Sequence, residues 1–273
     1  MGTCGLPWSG QQARCPAQSV EHLPLQTLKE SREKTSLFFS LIKLLDCCFL
    51  NPGVRGFVEQ SRRANPLPNR SYHNAPDLSH MISLSPNEVE RRFALLGIPN
   101  RFTDEEKQEL ATTQIVQAPD GVMAFPTPVG NGGLNILKLR AILGTDPSKQ
   151  PAFFDHPWYL EEAFATADCQ PGWHLVHMNV LPDSVSQPVN YFRSLAGRGL
   201  ELPAAIEVVL MVFLHFTGTG EQLLQKKHTW CRDEASLNRF VTVGAFGRNG
   251  LFISGHPGAY TSRGLGICGK VIR

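Results

Sequence analysis

Residues 202–216 read Leu-Pro-Ala-Ala-Ile-Glu-Val-Val-Leu-Met-Val-Phe-Leu-His-Phe. Pro203 suits the first position of a helix, where the missing N–H has no partner to lose. No breaker follows until Thr217-Gly218-Thr219-Gly220, where glycine can end the helix. The stretch 203–216 therefore predicts a helix about 21 Å long at 1.5 Å per residue. It is apolar all round except for Glu207 and His215, so it is buried on every side. A membrane span needs about 20 apolar residues, and this run is shorter. It reads as the central core helix of a soluble domain.

Glu207 and His215 are eight residues apart, which places them about 80° from each other around the helix, with Met211 between. A buried carboxylate must find a partner or take up a proton. The ordinary partner is a backbone amide or an arginine of a sheet packed above it. The alternative is that this face lines a polar pocket, which makes Glu207 and His215 catalytic candidates.

After this helix the chain changes character. Residues 222–230 read as a strand, and Arg-Phe-Val-Thr-Val-Gly-Ala-Phe at 239–246 alternates and is rich in β-formers. Arg248-Asn249-Gly250 supplies a hairpin turn into a return strand at 251–254. Residues 264–272 form a last, glycine-punctuated strand. Upstream, Ser85-Pro86-Asn87-Glu88 fits an N-cap with a first-turn proline, and Val89, Phe93 and Leu96 mark one helical face. Gly97 closes that helix, and Thr103 to Glu106 opens a second. Ile115-Val116 and residues 122–125 flank Pro119-Asp120-Gly121 as a β-hairpin. Asn131-Gly132-Gly133 is a turn rather than a phosphate loop. Residues 134–143 form a helix with Lys138 and Arg140 exposed. Asp155 and Pro157 start another, with Trp158, Tyr159 and Phe164 on its aromatic face. Residues 173–180 form a strand, which sends His174 and His177 to opposite faces. A helix-rich first part leads into a C-terminal antiparallel sheet, so the fold class is α+β.

This single α+β domain spans 85–273, with a possible sub-boundary near 145–150. Residues 1–84 read as a disordered extension. Within it, 36–50 is one short apolar helix, too short and too charged to span a membrane. Residues 51–83 are a linker whose Arg55, Arg62, Arg63 and Arg70 are solvated.

The formal net charge is +2, from 26 basic and 24 acidic residues, so no electrostatic case arises for nucleic acid. The seven cysteines are irregularly spaced and contain no C-x-x-C pair, which excludes a zinc ribbon and a thioredoxin-type site. Without a secretory signal, reduced thiols in a cytoplasm are expected. Neither a metal site nor a cofactor is expected, since no dinucleotide fingerprint, nucleophile elbow or His-Glu-x-x-His occurs.

The segments 202–207 (Leu-Pro-Ala-Ala-Ile-Glu), 241–246 (Val-Thr-Val-Gly-Ala-Phe), Gly250-Leu251-Phe252-Ile253 and Leu265-Gly266 resemble a recurring bacterial domain family of unassigned function. Pro171-Gly172-Trp173-His174-Leu175 extends the likeness, which covers residues 150–273. At a greater distance the chain is similar to C-type-lectin-like bacterial domains, through Gly172-Trp173-His174-Leu175 and Thr229-Trp230-Cys231. The spacing between them and the run at 241–246 depart from that pattern. Neither resemblance transfers an active site.

Cys231 and Asp233 share a strand face, with His228 on the other, so Cys231 and His228 join Glu207 and His215 as candidates for nucleophilic or acid–base chemistry. Asp155, His156, Cys169 and His174 match no standard metal spacing. Trp158, Trp173 and Trp230 could make an aromatic wall, or pack in the core. The expected function is a non-catalytic recognition or interaction domain for a protein or small ligand, binding through loops beside the sheet that include Arg248, Asn249, His256 and Tyr260. The alternative is a hydrolase or transferase using Cys231 or the Glu207/His215 face.

Overall fold

The computed structural model describes residues 81–113, 119–129 and 133–272. The expectations for residues 1–80, for Ile115-Val116 and for Asn131-Gly132 lie outside the described residues. The first strand, β1 (Ile82–Ser83), precedes the expected start at Ser85 and pairs in parallel with Met123 and Ala124. Ser85 then caps α1 (Pro86–Leu96), accepting from the Glu88 N–H, and Gly97 closes it in the left-handed conformation. Val89, Phe93 and Leu96 are its buried face. Thr103 and Glu106 form a reciprocal capping box at the start of α2 (Asp104–Thr112).

β2 (Val122–Thr127) follows, and then α3 (Ile136–Leu143), capped by Asn135. Lys138 is exposed, but Arg140 is not: its guanidinium bonds to the Phe154 carbonyl and the Tyr159 hydroxyl. The helix expected from Asp155 shrinks to one turn, α4 (Ala163–Thr166). Long-range bonds claim the residues that would have started it. The Trp158 indole donates to the Ile253 carbonyl, and the Glu162 carboxylate accepts from the Ser236 N–H and hydroxyl. Trp158, Tyr159 and Phe164 still cluster, with ring centroids 5.9–6.3 Å apart.

β3 (Gly172–His177), α5 (Phe192–Leu195) and β4 (Leu200–Glu201) lead to the central helix, α6 (Ala205–Thr219). Every residue from Ala205 to His215 in it is buried. It starts two residues later than Pro203 suggests and runs through Gly218 before Gly220 ends it. β5 (His228–Ala235), β6 (Arg239–Gly247) and β7 (Gly250–Pro257) form an antiparallel meander. The single last strand expected at 264–272 is two short ones, β8 (Leu265–Gly266) and β9 (Lys270–Val271).

The strands make two sheets, ordered β1-β2-β3-β9-β4 and β7-β6-β5-β8. The second is antiparallel except where β8 runs parallel to β5. The fold is therefore α+β, with the helix-rich half first. Helix α6 touches β3 of one sheet and β5 and β6 of the other, so one hydrophobic cluster spans residues from Leu84 to Cys268. That cluster crosses 145–150 without a break. Phe153, Phe213 and Phe246 meet edge to face at its centre. No helix of the described residues is long and apolar enough to cross a membrane.

Candidate functional site

Helix α6 begins without a side-chain cap of the usual kind, because Ala204 stands at the cap position. Two carboxylates do the work. Glu207, three residues in, accepts from the Ala204 N–H at 2.7 Å. Asp233, from β5, accepts from the Ala205 N–H at 2.6 Å. Negative charge at this end also suits the helix dipole.

The other Glu207 oxygen meets two side-chain nitrogens. His174 Nδ1, from β3, lies 2.8 Å away, and Lys270 Nζ, from β9, lies 2.9 Å away and also reaches Glu201. Glu207 is 1% exposed and His174 3%. His174 Nε2 lies 3.0 Å from the Gln170 carbonyl, 2.9 Å from Thr127 Oγ1 and 3.7 Å from Cys169 Sγ. The Thr127 hydroxyl itself donates to Gln170. Both ring nitrogens thus have hydrogen-bond partners within the cluster. Burial pushes the Glu207 carboxyl up, but the His174 bond and charge, Lys270 and the Ala204 N–H outweigh it and hold it at about 2. The cluster ties β2, β3, α6 and β9 together.

Beside it, Thr127 forms part of an open cleft of about 310 Å³ between α2 and the end of the β2–β3 ladder. Leu110, Pro171, Trp173, Glu106 and Glu109 also line it. The Trp173 indole donates to the Leu110 carbonyl, and Glu106 accepts from the Val129 N–H, so helix and sheet rim are fixed to each other.

The residues expected to act together are placed as follows. His215 does not share a site with Glu207. It lies eight residues on, about 12 Å along the helix, fully buried, with neither ring nitrogen hydrogen-bonded and Glu221 3.7 Å away. Cys231 is sealed in the core, its thiol 3.8 Å from the Thr229 carbonyl, and burial pushes its pKa well up. His228 packs edge-on to Phe252 with Nδ1 unpartnered. Arg248 and Asn249 sit at one end of the β6–β7 hairpin, whereas His256 stacks on Tyr260 at the other, 4.3 Å between centroids. At about 3.3 Å per strand residue, those ends are some 20 Å apart, so the four loop residues do not form one surface. The three tryptophans are tied to separate partners: Trp158 to Ile253, Trp173 to Leu110 and Trp230 to Gln187. Of the spacing Asp155, His156, Cys169 and His174, only the last two come together. Among the described residues, no group of three or more His, Cys, Asp or Glu side chains is placed to hold a metal ion. The His174–Glu207–Lys270 cluster was not readable from spacing, because its members lie 33 and 63 residues apart.

Buried and half-buried imidazoles give the fold an acid weakness. Burial, with the nearby charge of His256, pushes the His228 pKa down from 6.5 to about 4. His177, His215 and His256 are shifted down by burial as well. In the unfolded chain His228 takes a proton near pH 6.5, and in the folded chain only near 4. The unfolded state therefore binds more protons in that window, and stability falls as the pH falls through it. The His228 share is about 3 kcal/mol. Urea unfolding from pH 7 to 4 should show a smaller loss for His228→Leu than for the parent. Parallel pH profiles would refute this.

No protein-family model, curated protein or solved structure matches this chain.

Proposed function

We propose that this chain is a bacterial, cytoplasmic recognition domain without catalytic chemistry of its own. It takes a small ligand or a segment of a protein partner in the cleft between α2 and the β2–β3 rim. One observation carries the reading. The cleft is a concave space with aromatic, aliphatic and acidic walls, and Thr127 separates it from a polar cluster whose members are all occupied with one another. Its volume falls at the lower end of ligand sites. A reducing compartment agrees with Cys169, Cys231 and Cys268 all being unpaired. A fragment screen on the ¹⁵N-labelled full chain tests the site. Hits should shift the Trp173 indole, Leu110 and Gly172, and Trp173→Ala should abolish them. Shifts confined to His256 and Tyr260, or none in the cleft, would overturn the assignment.

A hydrolase or transferase is the second reading, because Cys169 Sγ, the His174 ring and Glu207 stand in series as nucleophile, base and orienter do. Against it, burial and the charge of Glu207 push the Cys169 thiol up to about 12. Burial does the same to Cys268. All three core thiols should resist iodoacetamide at neutral pH until the protein is unfolded, as mapped by peptide mass. Rapid labelling of Cys169 in the folded protein would favour the enzyme.

A further inference from the structure

A second cleft, of about 470 Å³, lies on the far side of α1, against the turn that follows it. Gly97 leaves the helix in the left-handed conformation, and the Gly97 and Ile98 amides bond back to the Ala94 and Phe93 carbonyls. Buried Ile98 then anchors the turn in the core. The chain folds back along α1, and Asn87, Glu90, Arg91, Asn100 and Arg101 come to line the space between.

Asn100 is the unusual member. It is only 8% exposed, yet its side-chain Nδ2 has no hydrogen-bond partner. A buried amide donor without an acceptor is uncommon and calls for one. The charged members of the lining are two arginines and one glutamate. Arg91 spends two of its N–H groups on Glu88 and keeps three. Arg101 makes no side-chain hydrogen bond among the described residues. Glu90 is the one acid of the lining, and it is committed: one oxygen accepts from the Phe102 N–H at 2.8 Å, the other meets Lys107 at 2.9 Å. The cleft is thus rich in unused donors and carries two guanidinium groups.

We propose that this cleft is an anion site, built to take the oxyanion group of a small molecule between Arg101, Arg91 and Asn100. The occupant supplies the acceptor that Asn100 lacks, and the guanidinium groups match a phosphate or carboxylate edge. This site is separate from the cleft of Trp173 and stands whether or not that cleft binds a ligand.

The test uses the full chain, ¹⁵N-labelled, titrated with inorganic phosphate and separately with sodium acetate, at ionic strength held constant with sodium chloride. Saturable shifts are expected at the Asn100 side-chain amide and at the Arg101 N–H with at least one of the two anions, and the tighter one identifies the oxyanion. Arg101→Gln changes an exposed side chain and keeps the fold. It should weaken binding about tenfold, the loss of one charge-assisted contact. Asn100→Asp keeps the shape, places a carboxylate in the cleft and should abolish binding. Arg248→Gln, on the hairpin turn, should change nothing. No saturable shift with either anion would overturn the proposal. So would equal affinity in the parent and Arg101→Gln.

Discussion

Glu207→Leu should cost about 3–5 kcal/mol of folding stability, the penalty of leaving a buried partner charge uncompensated. The carboxylate is the common acceptor for the Ala204 N–H, the His174 ring and the Lys270 ammonium. Leucine fills the space but leaves the Ala204 N–H and His174 Nδ1 without this acceptor and Lys270 with Glu201 alone. Glu207→Gln keeps the shape and an acceptor oxygen but not the charge, so it should cost less, about 1–3 kcal/mol. Urea unfolding of the full chain at pH 7 compares them through the midpoint at constant slope. Stability of the leucine variant equal to that of the parent would show that the acid has no bonding role. The pH dependence supplies a second check. The folded carboxyl is held near 2, against 4.5 in an unperturbed glutamate. Its contribution is therefore present above pH 4.5 and lost as the pH falls toward 2. Glu207→Gln should remove that part of the acid slope.

Gly250→Ala should cost roughly 3 kcal/mol or more, from left-handed strain plus overpacking. Gly250 has φ 99°, and an added Cβ would lie 2.6 Å from the Phe153 carbonyl carbon and 2.7 Å from the Phe154 nitrogen. These are backbone atoms, held where they are by hydrogen bonds from the Leu251 N–H to Ala152 and from the Phe154 N–H to Leu251. They cannot give way without moving Phe153 out of the aromatic centre of the core. Gly247, on the same hairpin, is the control: an added Cβ there meets only the Ala245 oxygen at 3.9 Å. Gly247→Ala should change stability by less than about 1 kcal/mol. Thermal unfolding of the two variants side by side makes the comparison, and similar melting points would refute the steric account.

Local chemistry was legible in the sequence, and tertiary chemistry was not. Ser85 and Thr103 cap their helices as their side chains dictate, and the unbroken apolar run of α6 announces a buried helix. The ends of that helix were misread because distant residues set them. Asp233 caps its start from β5. Gly218 is not a stop: a Cβ there would run into the Arg92 guanidinium, which crosses the helix to reach the Leu214 carbonyl. Glycine stands at that position so that another helix can reach over it. The stretch 222–227 looked like a strand but turns, with Leu224 at φ 54°. The site followed the same rule. The burial of Glu207 could be inferred from its neighbours, whereas its pairing with His174 depends on which strand the fold places over it.

The two short strands β8 and β9 have a kinetic consequence. Residues 265–271 complete both sheets, one beside β5 and the other between β3 and β4, and bring Lys270 to Glu207 across 63 residues. During synthesis the β3 edge has no partner on that side, and Glu207 lacks its lysine, until this segment leaves the ribosome. Loop closure over such distances must come before the contacts that reward it, which slows folding relative to a fold of local contacts. Without residues 265–271, β3 and β5 would each present an unpaired edge, the kind of template that pairs with other chains.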